Sequence, residues 1–566
     1  MTQPYRPDPE AAARWLLDVL GALDVWRELP PLAEHADAAL TRQVLQEAAT
    51  FVHEVVAPLN RSGDEIGARW HDGQVTMPPG FREAYRAFWQ AGWPALSAPV
   101  ELGGQGLPMA LEFVLYEWLS AANHAWTMAP GLLHGAVECL RHHASAGLQA
   151  RYLPKLVSGE WLATMALTEP QAGSDLGLVR TRATPAGDGT YRLEGSKIFI
   201  SGGEHDLTDN IVHLVLARLP EAPAGAKGLS LLLAPKWRPD GQRNAIVCER
   251  IEDKMGLHGS PTCVLRFDGA KAWLVGSPHQ GLGAMFVMMN AARLHVALQG
   301  IGLLDAAWQK AHAYALQRCQ MRAPQRRDPT QPADPIIAHP AVQRLLDTQR
   351  AWIDTGRLLA YRTALALDVA QHHPDAARRQ AAQRWCALAT PVLKAAWTEQ
   401  AFHGASDCLQ VFGGHGYVRE WGIEQIVRDA RVTMIYEGTN EIQAHDLLLR
   451  KTLPDAGAAL AGVLLELQDD LPPASPWQAG VQRLQALLAR LAAADAGTQA
   501  ALHPVAGDFL RAVALTLMGW ARQRLGRADA AWDAQVGRAF DRWVWPEQAW
   551  RCEMVERALG EPPPLP

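Results

Sequence analysis

The stretch Met434-Ile435-Tyr436-Glu437-Gly438-Thr439-Asn440-Glu441-Ile442-Gln443 places a single carboxylate between an apolar lead-in and a glycine. Residues 428–431 before it are typical of a helix end, and residues 442–451 after it have apolar positions at helical spacing. Glu437 therefore lies in a predicted short connection between two helices, where a side chain can project into a cleft. Desolvation in an apolar pocket raises the pKa of a carboxylate and makes it a proton acceptor near neutral pH. The alternative is an ordinary solvated loop glutamate.

Composition sets the class of protein. The chain has 566 residues, a net charge of -6 and 48% apolar residues, which predicts several globular domains and no nucleic-acid footprint. Its seven cysteines contain no CxxC pair, so we expect reduced thiols and a cytoplasmic location. The N-terminus has no basic region followed by an apolar one, so no secretory signal is expected. No apolar run reaches the roughly 18 residues of a membrane span, because Asn290 and Arg293 close the longest candidate, so no membrane insertion is expected.

The pattern of apolar residues divides the chain into blocks. Helical spacing from Asp8 to about Pro154 gives way to short alternating runs between residues 162 and 275, separated by turn signals such as Asp268-Gly269. Helical spacing then returns, with predicted helices over 281–318, 341–371 and 377–404. We therefore predict a mostly α fold with an inserted β-sandwich or barrel of about seven strands, a four-helix bundle and an added helical domain. The predicted boundaries are an extension (1–40), a helical domain (41–161), a β-domain (162–278), a bundle (279–452) and a C-terminal helical addition (453–566).

Two motifs of the β-domain could hold a flat ligand. In Thr164 to Asp175 a strand runs into a Pro/Gly/Ser loop, where the backbone and the hydroxyls of Thr168 and Ser174 could bind a heteroaromatic ring edge or a phosphate, although an ordinary turn is an equal alternative. Phe199 and Ser201 share one side of a predicted strand, so an aromatic face and a hydroxyl could meet the same ligand. The neighbouring run Glu204-His205-Asp206 points different ways on a turn, and we expect no metal site.

Two motifs of the bundle could bind an anion. The glycines of Gln410-Val411-Phe412-Gly413-Gly414-His415 would let backbone N–H groups approach a pyrophosphate, or they simply end a helix. Arg293 and Arg318 each lie on a mostly apolar helical stretch, where phosphate is a natural partner for a guanidinium. A buried carboxylate such as Asp305 or Asp347 would serve equally well.

The order and spacing of these motifs resemble the acyl-CoA dehydrogenases over roughly residues 40 to 451. The resemblance implies that Glu437 is the catalytic base, which removes the pro-R α-proton of an acyl-CoA while the β-hydrogen leaves as hydride to N5 of FAD. It also implies that the Glu437 backbone N–H and a flavin ribitol hydroxyl stabilise the thioester oxygen. The N-terminal segment, residues 202–207 and the C-terminal addition resemble the longer branch that includes an enzyme for 3-methylthiopropionyl-CoA, so that thioester or a straight-chain acyl-CoA is the expected substrate.

The same resemblance implies the remaining contacts. The expected contacts to FAD are Leu167, Thr168, Ser174, Phe199, Ser201, Arg318, Gln320, Gln410, Gly413, Gly414, Thr439 and Glu441. Phe199 and Ser201 stand where shorter members usually carry Trp and Thr, and Glu441 where they often carry Gln. Substrate contacts are expected from Ser174, Arg293 and Gly438. Because Gln410, Gly413 and Gly414 match a loop that reaches the FAD of a neighbouring subunit, a homodimer or homotetramer is expected.

Electron-transfer flavoprotein is the expected electron acceptor. The alternatives are a flavin oxidase of the same fold, which would form peroxide, and a non-catalytic binding protein that has kept the fold.

Overall fold

Helices make up most of the chain and one seven-stranded sheet is inserted among them, which confirms the predicted fold class. The computed structural model describes residues 4–326, 328–495 and 500–560. These residues form two units. The first comprises the described parts of Met1–Ala49, Pro108–Ala121 and Val296–Pro566, and the second comprises Thr50–Leu107 and Ala122–His295.

The described α-helices are, in chain order, α1 (Pro9–Arg14), α2 (Ala22–Arg27), α3 (Ala38–Phe51), α4 (Leu59–Ile66), α5 (Phe81–Gln90), α6 (Met109–Ala122), α7 (His124–Thr127), α8 (Leu133–His143), α9 (Ala146–Val157), α10 (Gly281–Gln317), α11 (Pro340–His372), α12 (Ala376–Val411), α13 (Ile423–Arg431), α14 (Asn440–His445), α15 (Ala458–Gln468), α16 (Pro476–Ala492), α17 (Ala506–Ala528), α18 (Ala530–Trp532) and α19 (Pro546–Ala558). The strands are β1 (Arg69–His71), β2 (Gln74–Thr76), β3 (Leu162–Ala166), β4 (Arg182–Pro185), β5 (Tyr191–Ser201), β6 (Ile211–Arg218), β7 (Leu229–Pro235), β8 (Ile246–Ile251) and β9 (Thr262–Val275).

The sheet of the second unit closes on itself. Its strand order is β3-β6-β4-β5-β9-β7, and β7 also pairs with β6, so five strands form a barrel-like ring. Strand β3 adds to β6 in parallel, and β8 adds to β9. Side chains such as Leu193, Val215, Leu232 and Leu265 are fully buried in its core, because alternate residues of a strand face the interior.

Three local predictions were incomplete or wrong. The hairpin of β1 and β2 was missed, although Asp72-Gly73 between alternating residues is a strong hairpin signal. The predicted turn at Asp268-Gly269 is a bulge inside β9, where Gly269 is skipped in the pairing with β5. The predicted helix end at Gly404 is also wrong, because α12 continues to Val411. A Cβ on Gly404 would lie 2.4 Å from Gln349 Oε1, so the glycine permits close helix packing.

In the first unit, the N-terminal extension and the C-terminal addition both pack on the helical bundle. The Tyr5 hydroxyl donates to Asp305 Oδ2 at 2.9 Å. The guanidinium of Arg511 on α17 lies 4.2 Å from the ring centre of Trp352 on α11. Trp532 Nε1 donates to Asp354 Oδ2 at 2.7 Å. The two added segments are therefore parts of the bundle's own packing.

Helix α10 corrects one expectation from the sequence. It is long and apolar enough to cross a membrane by length and composition. However, 67% of its most apolar window is buried inside the fold, as in the core helix of a globular protein. All seven cysteines carry free thiols.

Candidate active site

Glu437 lies in a connection between two helices, as predicted. Helix α13 ends at Arg431, a 3₁₀ turn covers Val432–Met434, and α14 begins at Asn440. The Glu437 backbone has a φ of 57° and Gly438 has a φ of 88°. The left-handed region is unfavourable for a residue with a Cβ, and such strain is common at functional sites. The Glu437 side chain is half-buried.

A buried lysine and a buried glutamine hold the main chain of this connection. Lys394 on α12 is fully buried, and its ammonium donates to the Gly438 carbonyl at 2.8 Å and to Asn440 Oδ1 at 3.0 Å. Gln443 Nε2 donates to the carbonyls of Glu437 and Gly438, both at 3.3 Å. These bonds fix the carbonyl of the strained residue and the carbonyl that follows it. Sequence reasoning missed Lys394, although a lysine within the apolar run 391–396 was a usable signal.

Two more residues of the connection have observed local partners. The Thr439 hydroxyl accepts from the Ile442 amide at 3.3 Å and so caps α14. The Tyr436 hydroxyl donates to Gln299 Oε1 at 2.6 Å. Burial raises the pKa of Tyr436 well above its ordinary value, and the negative charges of Glu437 and Asp429 raise it further. Tyr436 therefore stays a neutral phenol beside the carboxylate of Glu437.

Five of the predicted cofactor contacts line one cavity of about 470 Å³ in the first unit. They are Arg318, Gln320, Gln410, Gly413 and Gly414. The structure corrects the surroundings expected for Arg318. Helix α10 ends at Gln317, so this guanidinium is exposed at the cavity and does not lie on an apolar helix face.

The glycines of this cavity leave room for a ligand. Gly413 has a φ of 59°, and a Cβ built on Gly413 or Gly414 meets no described atom within 4 Å. Aromatic rings pack against the segment that contains these glycines. Tyr314 stacks on Phe412 with ring centres 4.3 Å apart, and its hydroxyl is 2.9 Å from His415 Nδ1. A cavity with a guanidinium and an open glycine backbone fits the pyrophosphate of a dinucleotide.

In the second unit, a buried ion pair supports the Leu167–Thr168 segment that follows β3. Lys197 on β5 is fully buried, and its ammonium donates to the Leu167 carbonyl at 2.8 Å and to Glu169 Oε1 at 2.9 Å. Glu169 also accepts from the amide and the hydroxyl of Thr181. Burial alone would raise the pKa of Glu169, but Lys197 and these hydrogen bonds lower it to about 2. Sequence reasoning missed both members of this pair.

Strand β5 is irregular where the predicted ring contacts lie. A bulge falls between Lys197 and Ile200, and Phe199 within it has a φ of 58°. Phe199 is 60% exposed and Ser201 is partly buried, whereas Ile200 between them is buried. The bulge interrupts the alternation of side chains on which the prediction for Phe199 and Ser201 rests, so their shared side stays a prediction. Ser174 is exposed on the loop before β4.

Several other polar groups that the sequence singled out have partners in the structure. Arg293 is buried, with Nη1 3.4 Å from Asn290 Oδ1 and its guanidinium 5.8 Å from the Phe286 ring centre. Glu204 pairs with Lys236 and with Arg243, the latter at 2.7 Å. In the first unit, Asp305 accepts from Arg357 and Asp347 from Gln535, so the carboxylates considered for Arg293 or Arg318 have other donors. Glu441 is exposed in the first turn of α14.

Comparison with known proteins defines the class. Three models of the acyl-CoA dehydrogenase family match the chain: the N-terminal domain over residues 39–160, the middle domain over 164–270 and the C-terminal domain over 279–450. The chain belongs to the acyl-CoA dehydrogenase family and is an FAD-dependent oxidoreductase of that class.

The similarity to individual relatives indicates a branch of this family. The chain is 40% identical to the 3-methylmercaptopropionyl-CoA dehydrogenase of Ruegeria pomeroyi, and the similarity covers 94% of this chain and 92% of that protein. It is 37% identical to a broad-specificity linear acyl-CoA dehydrogenase of Mycobacterium tuberculosis over 76% of this chain and 73% of the relative. The resemblance to the longer branch is thereby confirmed.

Solved structures share the fold. ACDH-11 of Caenorhabditis elegans in complex with C11-CoA has a TM-score of 0.77 and 20% identity over 100% of this chain and 93% of its own. An acyl-CoA dehydrogenase of Bacillus anthracis complexed with FAD has a TM-score of 0.69 and 20% identity over 92% of this chain and 86% of its own.

Proposed function

We propose that the chain oxidises an acyl-CoA thioester between C2 and C3 to a trans-2-enoyl-CoA, with Glu437 as the general base. The observation that supports this most is the position of Glu437. Its half-buried carboxylate lies on a strained backbone whose neighbouring carbonyls are held by Lys394 and Gln443. A fixed carboxylate is what removal of a weakly acidic proton requires, because misplacement by about 1 Å can cost 10²-fold in rate.

The α-proton of a thioester becomes acidic only when the developing enolate oxygen is stabilised. The Glu437 backbone N–H would be one donor to that oxygen, and Gly438, Ser174 and Arg293 would contact the substrate. Bound FAD would accept the β-hydrogen as hydride at N5. Water must be kept from the carboxylate so that it remains a strong enough base.

The FAD-binding residues divide by chemistry. Arg318, Gln320 and the open backbone of Gly413 and Gly414 would hold the phosphates and ribose, with Gln410 beside them, and Thr439 and Glu441 would add contacts from the connection after Glu437. Leu167, Thr168, Phe199 and Ser201 would hold the isoalloxazine ring. Two large apolar side chains near the 470 Å³ cavity, Met321 at 79% and Tyr417 at 88%, are exposed. This supports a homodimer or homotetramer in which a second copy covers them.

The proposed substrate is 3-methylthiopropionyl-CoA. The support is the similarity to the Ruegeria pomeroyi enzyme, which extends over both added segments, and the C11-CoA complex of the Caenorhabditis elegans protein supports an acyl-CoA ligand in general. The proposed electron acceptor is electron-transfer flavoprotein. Seven free thiols support a reducing compartment such as the cytoplasm.

The role of Glu437 can be tested by rapid mixing without oxygen. Glu437→Gln should bind 3-methylthiopropionyl-CoA but leave the flavin absorbance unbleached, because the amide cannot take the proton. Glu420→Gln, which changes an exposed carboxylate of the same unit, should bleach like the unchanged enzyme. Full bleaching by Glu437→Gln would remove this residue from the role of base.

Substrate and acceptor need a separate assay. Dye reduction should be measured with 3-methylthiopropionyl-CoA and straight-chain acyl-CoAs from short to long, and the highest kcat/KM is expected for the first. Peroxide formed in proportion to turnover would identify an oxidase instead.

The proposed FAD contact of Arg318 can be tested by substitution. Arg318→Gln should release FAD more readily than Arg322→Gln, since both arginines are exposed but only Arg318 lines the cavity.

A further inference from the structure

A second cavity of about 320 Å³ lies in the first unit and shares no lining residue with the cavity of Arg318. Its walls come from three parts of the chain: the N-terminal extension, the bundle helices α11 and α12, and the C-terminal addition. Leu20, Asp470, Trp520 and Arg524 lie outside the residues matched by the three family models. The added segments thus close a cavity whose other wall is formed by the bundle helices α11 and α12.

Arg362 lines this cavity and contacts two indole rings. Its guanidinium is 3.8 Å from the ring centre of Trp385 and 4.4 Å from that of Trp520. Both distances are within the range of cation–π contacts, which favour a charged guanidinium. Its Nη1 is buried and has no hydrogen-bond partner among the residues that the structure describes.

The acidic residues nearby satisfy this arginine only in part. Glu466 Oε2 is 4.0 Å from Arg362 Nη2, and the Glu466 side chain is half exposed. Asp470 Oδ2 accepts from Trp520 Nε1 at 2.9 Å and is 3.3 Å from Arg524 Nη2. Burial lowers the pKa of Arg362 to about 10; Glu466 opposes this and Arg524 adds to it. The guanidinium is therefore charged near neutral pH, and its ion-pair contact with Glu466 is a long one.

Arg524 has the same deficit. Its Nε is buried without a hydrogen-bond partner within the described ranges. Both side chains line the cavity and are 23% and 37% exposed. The accessible N–H groups of the two guanidiniums could therefore donate to one anion in the cavity.

We propose that this cavity binds a small organic anion whose phosphate or carboxylate group accepts hydrogen bonds from Arg362 and Arg524. Both anions match the fork of a guanidinium. A volume of about 320 Å³ is at the small end of ligand sites and suits a small molecule. The indole rings of Trp385 and Trp520 and the apolar Leu20 would contact the rest of the molecule. This site is independent of the proposed dehydrogenation.

The test uses the full-length, FAD-loaded protein and isothermal titration calorimetry at low salt. Inorganic phosphate and malonate are the two probes, and their relative affinities show which anionic group the site prefers. Saturable binding is expected for at least one of them, weakened tenfold or more in both Arg362→Gln and Arg524→Gln. Arg527→Gln, one turn further along α17 and exposed, should bind like the unchanged protein.

The proposal fails if neither probe binds at millimolar concentration. It also fails if binding is the same in both arginine variants, since the anion would then occupy another site. Arg362→Gln removes a stacked side chain and can unfold the region, so circular dichroism and the unfolding temperature accompany each titration. Arg524→Gln, whose side chain is 37% exposed, then decides the outcome.

Discussion

The buried pair of Lys197 and Glu169 allows a quantitative prediction about the second unit. Lys197→Met removes an ammonium that lies 2.9 Å from Glu169 Oε1 and 2.8 Å from the Leu167 carbonyl, in a place without solvent exposure. The carboxylate of Glu169, which is 4% exposed, would remain buried without its cation. The hydrogen bonds from Thr181 would remain but would not balance its charge.

The size of the effect follows from the two pKa values. Burial raises the pKa of Glu169, but Lys197 and Thr181 bring it down to about 2, a difference from its ordinary value of 4.5 that corresponds to about 3 kcal/mol. Burial lowers the pKa of Lys197 from 10.5 to about 8, against the attraction of Glu169, and this costs about as much. The intact pair therefore contributes little net stability, whereas removal of one partner costs roughly 3–5 kcal/mol.

Thermal unfolding followed by circular dichroism measures this effect. For a unit of this size, Lys197→Met should lower the unfolding temperature by roughly 6–20 °C. The double variant Lys197→Met with Glu169→Gln should lose much less than the sum of the single variants, because no unpaired charge is left. Lys227→Met, which removes an exposed lysine of the same unit, should be almost neutral. Additive losses in the double variant, or an unchanged Lys197→Met, would refute the reasoning.

Three further predictions concern the first unit. Lys394→Met should lower kcat roughly 10–100-fold with little loss of FAD, because Glu437 loses the donor that holds its neighbouring carbonyl; stopped-flow reduction and flavin content measure this. Gly404→Ala should destabilise by about 1–3 kcal/mol, since its Cβ would lie 2.4 Å from two side-chain atoms, whereas Gly462→Ala on α15 has open space and should stabilise by roughly 0.5–1 kcal/mol; urea unfolding compares them. Burial raises the pKa of Asp368 from 3.8 to about 7, so its contribution to stability is fully present below about pH 4 and is lost as the pH rises through 7. From pH 4 to pH 8 Asp368→Asn should therefore gain up to about 4 kcal/mol of stability relative to the unchanged protein, against a pH-independent loss of one of the two acceptors for Trp26 Nε1 and the Met109 amide.

The sequence was sufficient for features that depend on local pattern. The helix-to-helix connection of Glu437 and the class of the fold follow from the periodicity of apolar residues. The grouping of Arg318 with Gly413 and Gly414 in one cavity was accessible only through the family resemblance, because the two segments lie far apart in the chain. Gly404 was misread because a glycine that permits close packing and a glycine that ends a helix look alike in sequence.

The roles of Lys197 and Lys394 could not be predicted from the sequence, for a different reason. Lys197 bonds to the Leu167 carbonyl across 30 residues, and Lys394 bonds to the Gly438 carbonyl across 44. Each lysine lies in an element whose own pattern predicts only a strand or a helix. Which carbonyl a buried ammonium meets is decided by tertiary packing, and no spacing rule encodes it.

Lys394 and Lys197 have the same role in the two units, since each donates a buried hydrogen bond to a main-chain carbonyl near a strained residue. Glu437 and Phe199 both have left-handed backbones, with φ of 57° and 58°, and such strain persists only where the surroundings over-determine it. In each case a fully buried ammonium donates to a main-chain carbonyl of the candidate site, that of Gly438 in one unit and that of Leu167 in the other. A charge-assisted hydrogen bond in a medium of low dielectric is stronger than a neutral one. The long, narrow side chain of lysine can place its ammonium between packed elements. Lys394 therefore holds the connection that carries Glu437. Lys197 holds the Leu167–Thr168 segment, whose Thr168 carbonyl accepts from the Ile198 amide next to Phe199.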